Sequence, residues 1–293
     1  MEKTEKRAVC CAVLAAALYA LNSPLSKLLL RELPATMMAA LLYLGAGMGM
    51  LAVRLVQKKR GTAQREQPLT RRELPYTVGM VLLDIAAPIC LMVGLSMTTA
   101  ANASLLNNFE IVATSLIALL LFKERISPRL WLAIGLVTLS SIVLSVEDAG
   151  SFSFSLGSVF VLLACVCWGL ENNCTRMLSV KDPLEIVVIK GFGSGGGSLL
   201  LALALGERPG GALTTLCALL LGFVAYGLSI FFYIYAQRSL GAAKTSAYYA
   251  VAPFIGAGLS LLIFRELPSL SFVAALLIMI AGTYFASTDT GGQ

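Results

Sequence analysis

Stretches of about 20 apolar residues follow one another along almost the whole chain, and each could cross roughly 30 Å of hydrocarbon as a helix. Of the 293 residues, 58% are hydrophobic and only 13% are charged, whereas soluble domains carry about a quarter charged residues. The sequence therefore predicts an all-α polytopic membrane protein. Its ten transmembrane helices are expected at roughly 9–30, 35–56, 75–97, 99–122, 129–146, 156–178, 184–205, 213–237, 243–264 and 269–287.

Lysine and arginine are distributed unequally among the connections between these spans. With the N-terminus inside, 17 of the 22 basic residues fall in cytoplasmic pieces, four fall outside, and Lys190 lies within a span. Because basic residues concentrate on the cytoplasmic side, both termini are predicted to be cytoplasmic, in a bacterial inner membrane. Basic residues before the first span also suit a signal peptide, but this span matches the second half and is expected to remain in the mature protein.

The second half of the chain repeats the first. Ala100–Ser127 aligns with Ala242–Ser269 with eight identities in 28 positions, and Tyr19–Pro24 aligns with Trp168–Asn173. Each half holds five spans, and because five is odd the second copy must be inverted relative to the first. We expect two inverted five-helix repeats, 1–149 and 150–293, with a binding site where they meet, as in transporters built this way.

These segments resemble the ten-span EamA-type family of the drug/metabolite transporter superfamily. The resemblance rests on Ala101–Ser127 with its Phe122–Arg125 motif, on Ala243–Ser269 and on Trp168–Gly169, and it covers both halves. It implies ten helices around a central cavity, and members that export amino acids, drugs or other metabolites, while some import. Many members have proline after the glutamate equivalent to Glu110. Here the proline stands only in the second copy, as Pro253, so a helix break is expected in span nine rather than span four.

Four ionisable side chains lie away from the ends of the predicted spans, namely Asp84, Glu110, Glu171 and Lys190. A charge in the bilayer costs about 2.5–3.5 kcal/mol on insertion scales, so each of them indicates a functional role. Three acids against one base suit a cationic or zwitterionic ligand. Since the chain has no histidine, proton coupling is assigned to Glu110 first and Glu171 second. The alternative is a structural ion pair of Lys190 with one acid, and whether Lys190 meets ligand or acid stays open.

Amides and aromatic rings accompany these charges. Paired amides beside a carboxylate offer donors and acceptors to a small polar ligand, and tyrosines can stack on a cation. The alternatives are hydrogen bonds between helices and ring packing. The predicted substrate site comprises Glu110, Glu171, Asp84, Asn107, Asn22, Asn172, Lys190, Tyr226, Tyr248, Tyr249 and Trp168.

These features favour a secondary transporter of small polar metabolites, such as amino acids or amines, that works by alternating access. Export is favoured over uptake, and proton exchange is expected. The alternatives are a membrane sensor or scaffold that keeps this fold, and a passive channel. The expected partners are a small-molecule substrate, protons and the lipid bilayer, with the chain as a monomer or weak dimer.

Several other classes of function lack their sequence signatures. The chain has no His-Glu-x-x-His, Gly-x-Ser-x-Gly or nucleotide-binding motif, which disfavours an enzyme or an ATP-driven pump. Its seven cysteines show no Cys-x-x-Cys spacing, so neither a disulfide framework nor a zinc site is expected, and no cofactor or metal is predicted. The net charge of +6 lies in loops and does not indicate nucleic-acid binding.

Overall fold

Thirteen α-helices account for most of the described residues. The fold is taken from a computed structural model, which describes residues 3–60, 67–122, 127–148, 153–178 and 180–288. The helices are α1 (Lys3–Ala20), α2 (Asn22–Leu29), α3 (Ala35–Lys59), α4 (Leu74–Met97), α5 (Ala100–Leu106), α6 (Phe109–Phe122), α7 (Pro128–Ser145), α8 (Leu156–Leu178), α9 (Pro183–Ala204), α10 (Ala212–Gly222), α11 (Ser229–Tyr249), α12 (Ala252–Phe264) and α13 (Leu270–Ser287). A 3-10 turn (Arg71–Glu73) precedes α4, and a π-helical segment (Phe223–Leu228) joins α10 to α11.

Seven helical stretches in the described ranges are long and apolar enough to cross a membrane. They are Lys6–Leu29, Ala35–Lys59, Arg71–Met97, Pro128–Ser145, Leu156–Leu178, Pro183–Ala204 and Ala212–Ala236, and two shorter apolar helices are Ala252–Phe264 and Leu270–Ala286. The chain thus has the multi-pass helical architecture that its apolar segments predict. The number of ten spans and the inverted repeat remain predictions, because several predicted spans are divided into shorter helices.

The structure differs from the sequence prediction between spans eight and nine. The expected boundary at 237–243 falls inside α11, whose backbone is helical from Ser229 to Tyr249. The physical reason is that residues 212–249 contain no proline. Every residue in this stretch therefore has a backbone N–H that it can donate within a helix. The next proline, Pro253, lies in the first turn of α12.

Helices that are equivalent in the two halves pack against each other. In the bundle α3 packs against α9, and α7 packs against α13. Outside these equivalent pairs, α5 contacts α12, and α4 contacts both α8 and α9. The contact of α3 with α9 depends on glycine, because a Cβ on Gly191 would lie 2.3 Å from the Cα of Gly47. Such close approach of two helix backbones needs small residues at the crossing.

The two halves are joined by a short β-ribbon. Strand β1 (Val146–Asp148) pairs antiparallel with strand β2 (Ser153–Phe154), with Val146 opposite Phe154 and Asp148 opposite Ser153. This ribbon is the one described departure from the all-α prediction. The Lys123–Glu124–Arg125 part of the repeated motif lies outside the described residues.

Candidate functional site

Lys190, the basic residue that lies away from the ends of a predicted span, lies between two of the acids. Lys190 on α9 places its Nζ 3.1 Å from Asp84 Oδ2 on α4 and 2.9 Å from Glu171 Oε1 on α8. All three side chains are buried, with exposed fractions of 5% or less. Sequence reasoning left open whether Lys190 contacts ligand or acid, and the structure pairs it with two acids at once.

Two hydroxyl groups complete this buried ion cluster. Tyr43 on α3 donates to Asp84 Oδ1 at 2.9 Å, and Thr175, one turn beyond Glu171 on α8, donates to Glu171 Oε1. Tyr43 and Thr175 are absent from the sequence-based set. The spacing of four residues between Glu171 and Thr175 could have signalled the second contact, whereas Tyr43 is recognisable only once α3 is packed beside α4.

Glu110 has a different environment. It is half-buried in the first turn of α6, and its Oε1 accepts a hydrogen bond of 2.6 Å from Asn172 Nδ2 on α8. No basic side chain among the described residues forms an ion pair with it. Two neighbouring residues of α8 therefore contact different charged groups, because Glu171 binds the Lys190 ammonium and Asn172 binds the Glu110 carboxylate.

Span four is interrupted, which corrects the expectation that a break occurs only in span nine. Helix α5 ends at Leu106, α6 begins at Phe109, and the turn between them is closed by bonds from Glu110 N to Asn107 O and from Ile111 N to Asn108 O, each 3.1 Å. Asparagine is one of the residue types most common in turns, so the break needs no proline. It places Glu110 at a helix N-terminus, where the helix dipole favours negative charge.

Polar atoms around this break lack partners. Ser104 Oγ, Asn107 Oδ1 and Asn108 Nδ2 are buried without a hydrogen bond in the described structure. A buried polar atom without a partner costs about 1–3 kcal/mol, so an unpaired group in a native structure needs an explanation. Three such atoms within five residues, next to a carboxylate, form a site that a polar ligand could satisfy.

Breaks in three spans lie in helices that pack together. Span one is interrupted at Leu21, and span nine between α11 and α12. A Cβ on Gly256 of α12 would lie 2.9 Å from Ser104 Oγ and 3.1 Å from the carbonyl oxygen of Ala20. Because Pro24 has no N–H, the Ala20 carbonyl also lacks its usual helical donor four residues on. Discontinuous helices with free backbone groups are typical of substrate sites in transporters.

Several predicted wall residues gather beside the ion cluster. Asn22 Nδ2 donates to Tyr226 OH at 3.1 Å, and the Tyr226 ring lies 5.1 Å from that of Tyr43. Tyr226 belongs to the π-helical segment, a form that often occurs at functional sites. Tyr19, which the predicted set lacks, has its ring centroid 5.9 Å from those of both Tyr226 and Tyr249.

The structure does not bring every predicted residue to this region. Tyr248 is 38% exposed and belongs to the surface of the bundle, whereas Trp168 is buried in the same apolar core as Tyr43 and Tyr226. Within the described residues no group of three or more His, Cys, Asp or Glu side chains could hold a metal ion.

Comparisons with known proteins agree with this architecture. Residues 6–146 and 155–288 each match the EamA-like transporter family. An uncharacterized transporter of Methanothermobacter thermautotrophicus is 26% identical over 284 residues, covering 91% of this chain and 82% of that protein. One protein of known crystal structure superposes with a TM-score of 0.65 over 98% of this chain and 97% of its own, at 17% identity, which shows a shared fold alone. With both halves matched, the chain belongs to the EamA-like transporter family.

Proposed function

We infer that this member of the family is a secondary transporter of small amine-bearing metabolites, such as amino acids, and that Glu110 binds the ammonium group of its substrate. The observation that carries this proposal is the state of Glu110. It is a carboxylate within the bundle that has an amide partner, no basic partner among the described residues, and unpaired polar atoms beside it.

The charge balance of the interior favours a cationic group at this position. Lys190 compensates one of its two acidic neighbours, so Glu110 receives no full positive charge from the protein. A carboxylate inside a membrane protein is costly unless it is paired. A substrate ammonium would supply the missing charge, while Asn107 Oδ1 and Asn108 Nδ2 would bind the substrate's polar atoms.

The other predicted residues receive supporting roles in this proposal. Asp84, Glu171 and Lys190 form the fixed ion cluster that borders the site, and Asn172 orients the Glu110 carboxylate. Asn22, Tyr226 and Tyr249 form a wall, whereas Trp168 is assigned to packing. Tyr248 receives no role in binding, because it lies at the surface.

Proton exchange is the proposed energy source, and export the proposed direction. A proton and an ammonium ion would occupy Glu110 in turn, which gives obligatory exchange. Glu171, the second candidate for proton coupling, already accepts hydrogen bonds from Lys190 and Thr175 and is therefore ranked below Glu110. Pairwise packing of equivalent helices supports an inverted repeat of 1–149 and 150–293 and an alternating-access cycle between its halves.

The proposed location is a bacterial inner membrane with both termini in the cytoplasm. The end of the bundle where α3 ends and α9 begins would face the cytoplasm, because it carries the predicted excess of basic residues. There Arg54 lies 3.6 Å from Asp182, and Lys181 lies 3.5 Å from Glu73.

The test is flux into liposomes that contain the purified protein, with and without a pH gradient. Labelled amino acids and amines are offered to the wild type, to Glu110→Gln and to Glu171→Gln. The proposal predicts saturable uptake that the gradient accelerates, and that Glu110→Gln abolishes or uncouples while Glu171→Gln retains coupling. Flux unaffected by Glu110→Gln would refute the assignment of the site. Absence of flux for every compound would favour a sensor or scaffold over a carrier.

A further inference from the structure

The buried ion cluster holds more acidic than basic groups. Asp84, Glu171 and Lys190 are each exposed by 5% or less, and among the described residues Lys190 is the one basic side chain that forms an ion pair with either acid. The hydrogen bonds from Tyr43 and Thr175 bring no charge with them. If all three groups were ionised, the cluster would carry one surplus negative charge. Because an uncompensated charge inside a membrane protein is costly, this surplus favours the uptake of a cation.

A proton fits this cluster better than a metal cation does. Asp84 is 0% exposed, and both of its oxygens have close neighbours, Tyr43 OH at 2.9 Å from Oδ1 and Lys190 Nζ at 3.1 Å from Oδ2. A metal cation needs several oxygen ligands, and the described residues contain no group of three or more His, Cys, Asp or Glu side chains that could hold one. A proton needs a single oxygen.

The two acids differ in how they contact the lysine. Glu171 Oε1 accepts hydrogen bonds from Lys190 Nζ at 2.9 Å and from the Thr175 hydroxyl. Asp84 Oδ2 lies close to the same ammonium but has no hydrogen bond. Since hydrogen bonds between ionised groups are the stronger kind, we assign Glu171 as the ionised partner of Lys190.

Asp84 can hold a proton without losing its contacts. A hydroxyl group accepts as well as donates, so Tyr43 can accept a hydrogen bond from a protonated Oδ1, and Oδ2 then faces the Lys190 ammonium as a carbonyl oxygen. Tyr226 of the π-helical segment and Cys174 of α8 also interact electrostatically with Asp84. Neither of these side chains can supply a positive charge, because both are neutral when protonated.

We propose that Asp84 is a second proton-binding site of the bundle, and that it keeps its proton while Glu110 exchanges one. The first part rests on the charges and contacts of the cluster, and the second part rests on the proposed function. Glu110 is half-buried beside unpaired polar atoms, so a substrate ammonium can replace its proton. Asp84 is enclosed by Tyr43 and Lys190, so the same ammonium does not reach it.

The test is infrared spectroscopy of the purified protein in detergent at neutral pH, with Glu110→Gln as the background so that Glu110 adds no carboxyl signal. A protonated carboxyl group has a C=O stretching band that an ionised carboxylate lacks. We expect such a band, shifted by carbon-13 labelling of aspartate and lost on adding Asp84→Asn. Glu171→Gln should also abolish it, because Lys190 then pairs with Asp84 alone and no negative charge is in surplus.

The matched control is Asp182→Asn, which removes an aspartate that lies 3.6 Å from Arg54 before α9, and it should leave the band unchanged. Three results would overturn the proton site. Absence of the band would mean that the cluster keeps its surplus charge. A band that labelled aspartate does not shift would place the proton on Glu171. A band that survives Glu171→Gln would remove the charge balance as its cause.

The second part of the proposal is tested by the proton-to-substrate ratio in liposomes, measured by opposing a substrate gradient with a pH gradient. One proton should exchange for each singly charged amine, since Asp84 retains its own. A ratio of two would show that Asp84 also releases its proton and would overturn this part. The infrared band requires no flux, so the failure of the proton site and the failure of the proposed transport function can be told apart.

Discussion

Two acidic centres lie side by side in this bundle, and they differ in how their charge is balanced. At the first, Asp84 and Glu171 share the Lys190 ammonium and accept two hydroxyl hydrogen bonds. At the second, Glu110 has one amide partner, and unpaired polar atoms surround it. The comparison favours separate tasks for carboxylates that the sequence places alike within apolar spans: the Lys190 cluster joins helices, and Glu110 is the one that we propose receives a ligand.

The helices around the two centres also differ, because those at the ion cluster are continuous and the one at Glu110 is interrupted. The ion cluster joins three unbroken helices, α4, α8 and α9, whereas Glu110 follows the break between α5 and α6. Packed helices joined by buried ion pairs resist movement, while a broken helix offers free backbone groups and a place for the chain to bend. We therefore expect substitutions to separate stability from transport when they are made at one centre or the other.

The largest effect is expected from Lys190→Met. This change leaves two buried carboxylates without their cation, and breaking a buried pair costs about 3–5 kcal/mol. A large fall in the midpoint of thermal unfolding, measured in detergent, should report the loss. The control is the triple variant with Asp84→Asn and Glu171→Gln, which removes the charges together and should restore most of the stability. An unchanged midpoint for the single variant would contradict a stabilising role for the cluster.

The second effect is expected from Glu110→Gln, and it should appear in transport instead of stability. Removing a hydrogen bond to a charged group costs about 1.5–3 kcal/mol, roughly a tenfold or larger loss of apparent affinity. The unfolding midpoint should stay near that of the wild type, because the amide of Gln can still accept from Asn172. A fall in stability as large as that of Lys190→Met would make the two centres alike and break the comparison.

The sequence predicts the two centres unequally. Apolar length identifies most spans because it is a local property, and charges within those spans mark Asp84, Glu110, Glu171 and Lys190. Their pairing depends on how α4, α8 and α9 pack, and no spacing in the sequence says that Lys190 meets Asp84 and Glu171 but not Glu110. The break before Glu110 was missed because the prediction depended on proline, whereas two asparagines form the turn here.

The third effect concerns the contact that holds the ion cluster in place. Gly191 follows Lys190 and contacts Gly47 so closely that Gly191→Ala must push α9 away from α3. Overpacking of this kind costs about 1–3 kcal/mol, and we expect lower stability together with weaker transport. Gly196→Ala on the same helix is the matched control, because nothing lies within 4 Å of its added methyl group. Equal effects of the two substitutions would mean that the crossing tolerates side chains.

The smallest effect tests the unpaired atoms themselves. Asn107→Ala removes a buried oxygen that has no partner in the ligand-free protein, so the unfolding midpoint without ligand should hardly change, while substrate affinity should fall about fivefold, or 1 kcal/mol. Asn173→Ala on α8 is the counterpart, because Asn173 donates to the Gly169 and Thr114 carbonyls at 2.8 and 3.4 Å. Its loss should lower the midpoint and leave affinity unchanged. If Asn107→Ala instead destabilises the empty protein as much as Asn173→Ala, the break before Glu110 is structural and the ligand must bind elsewhere.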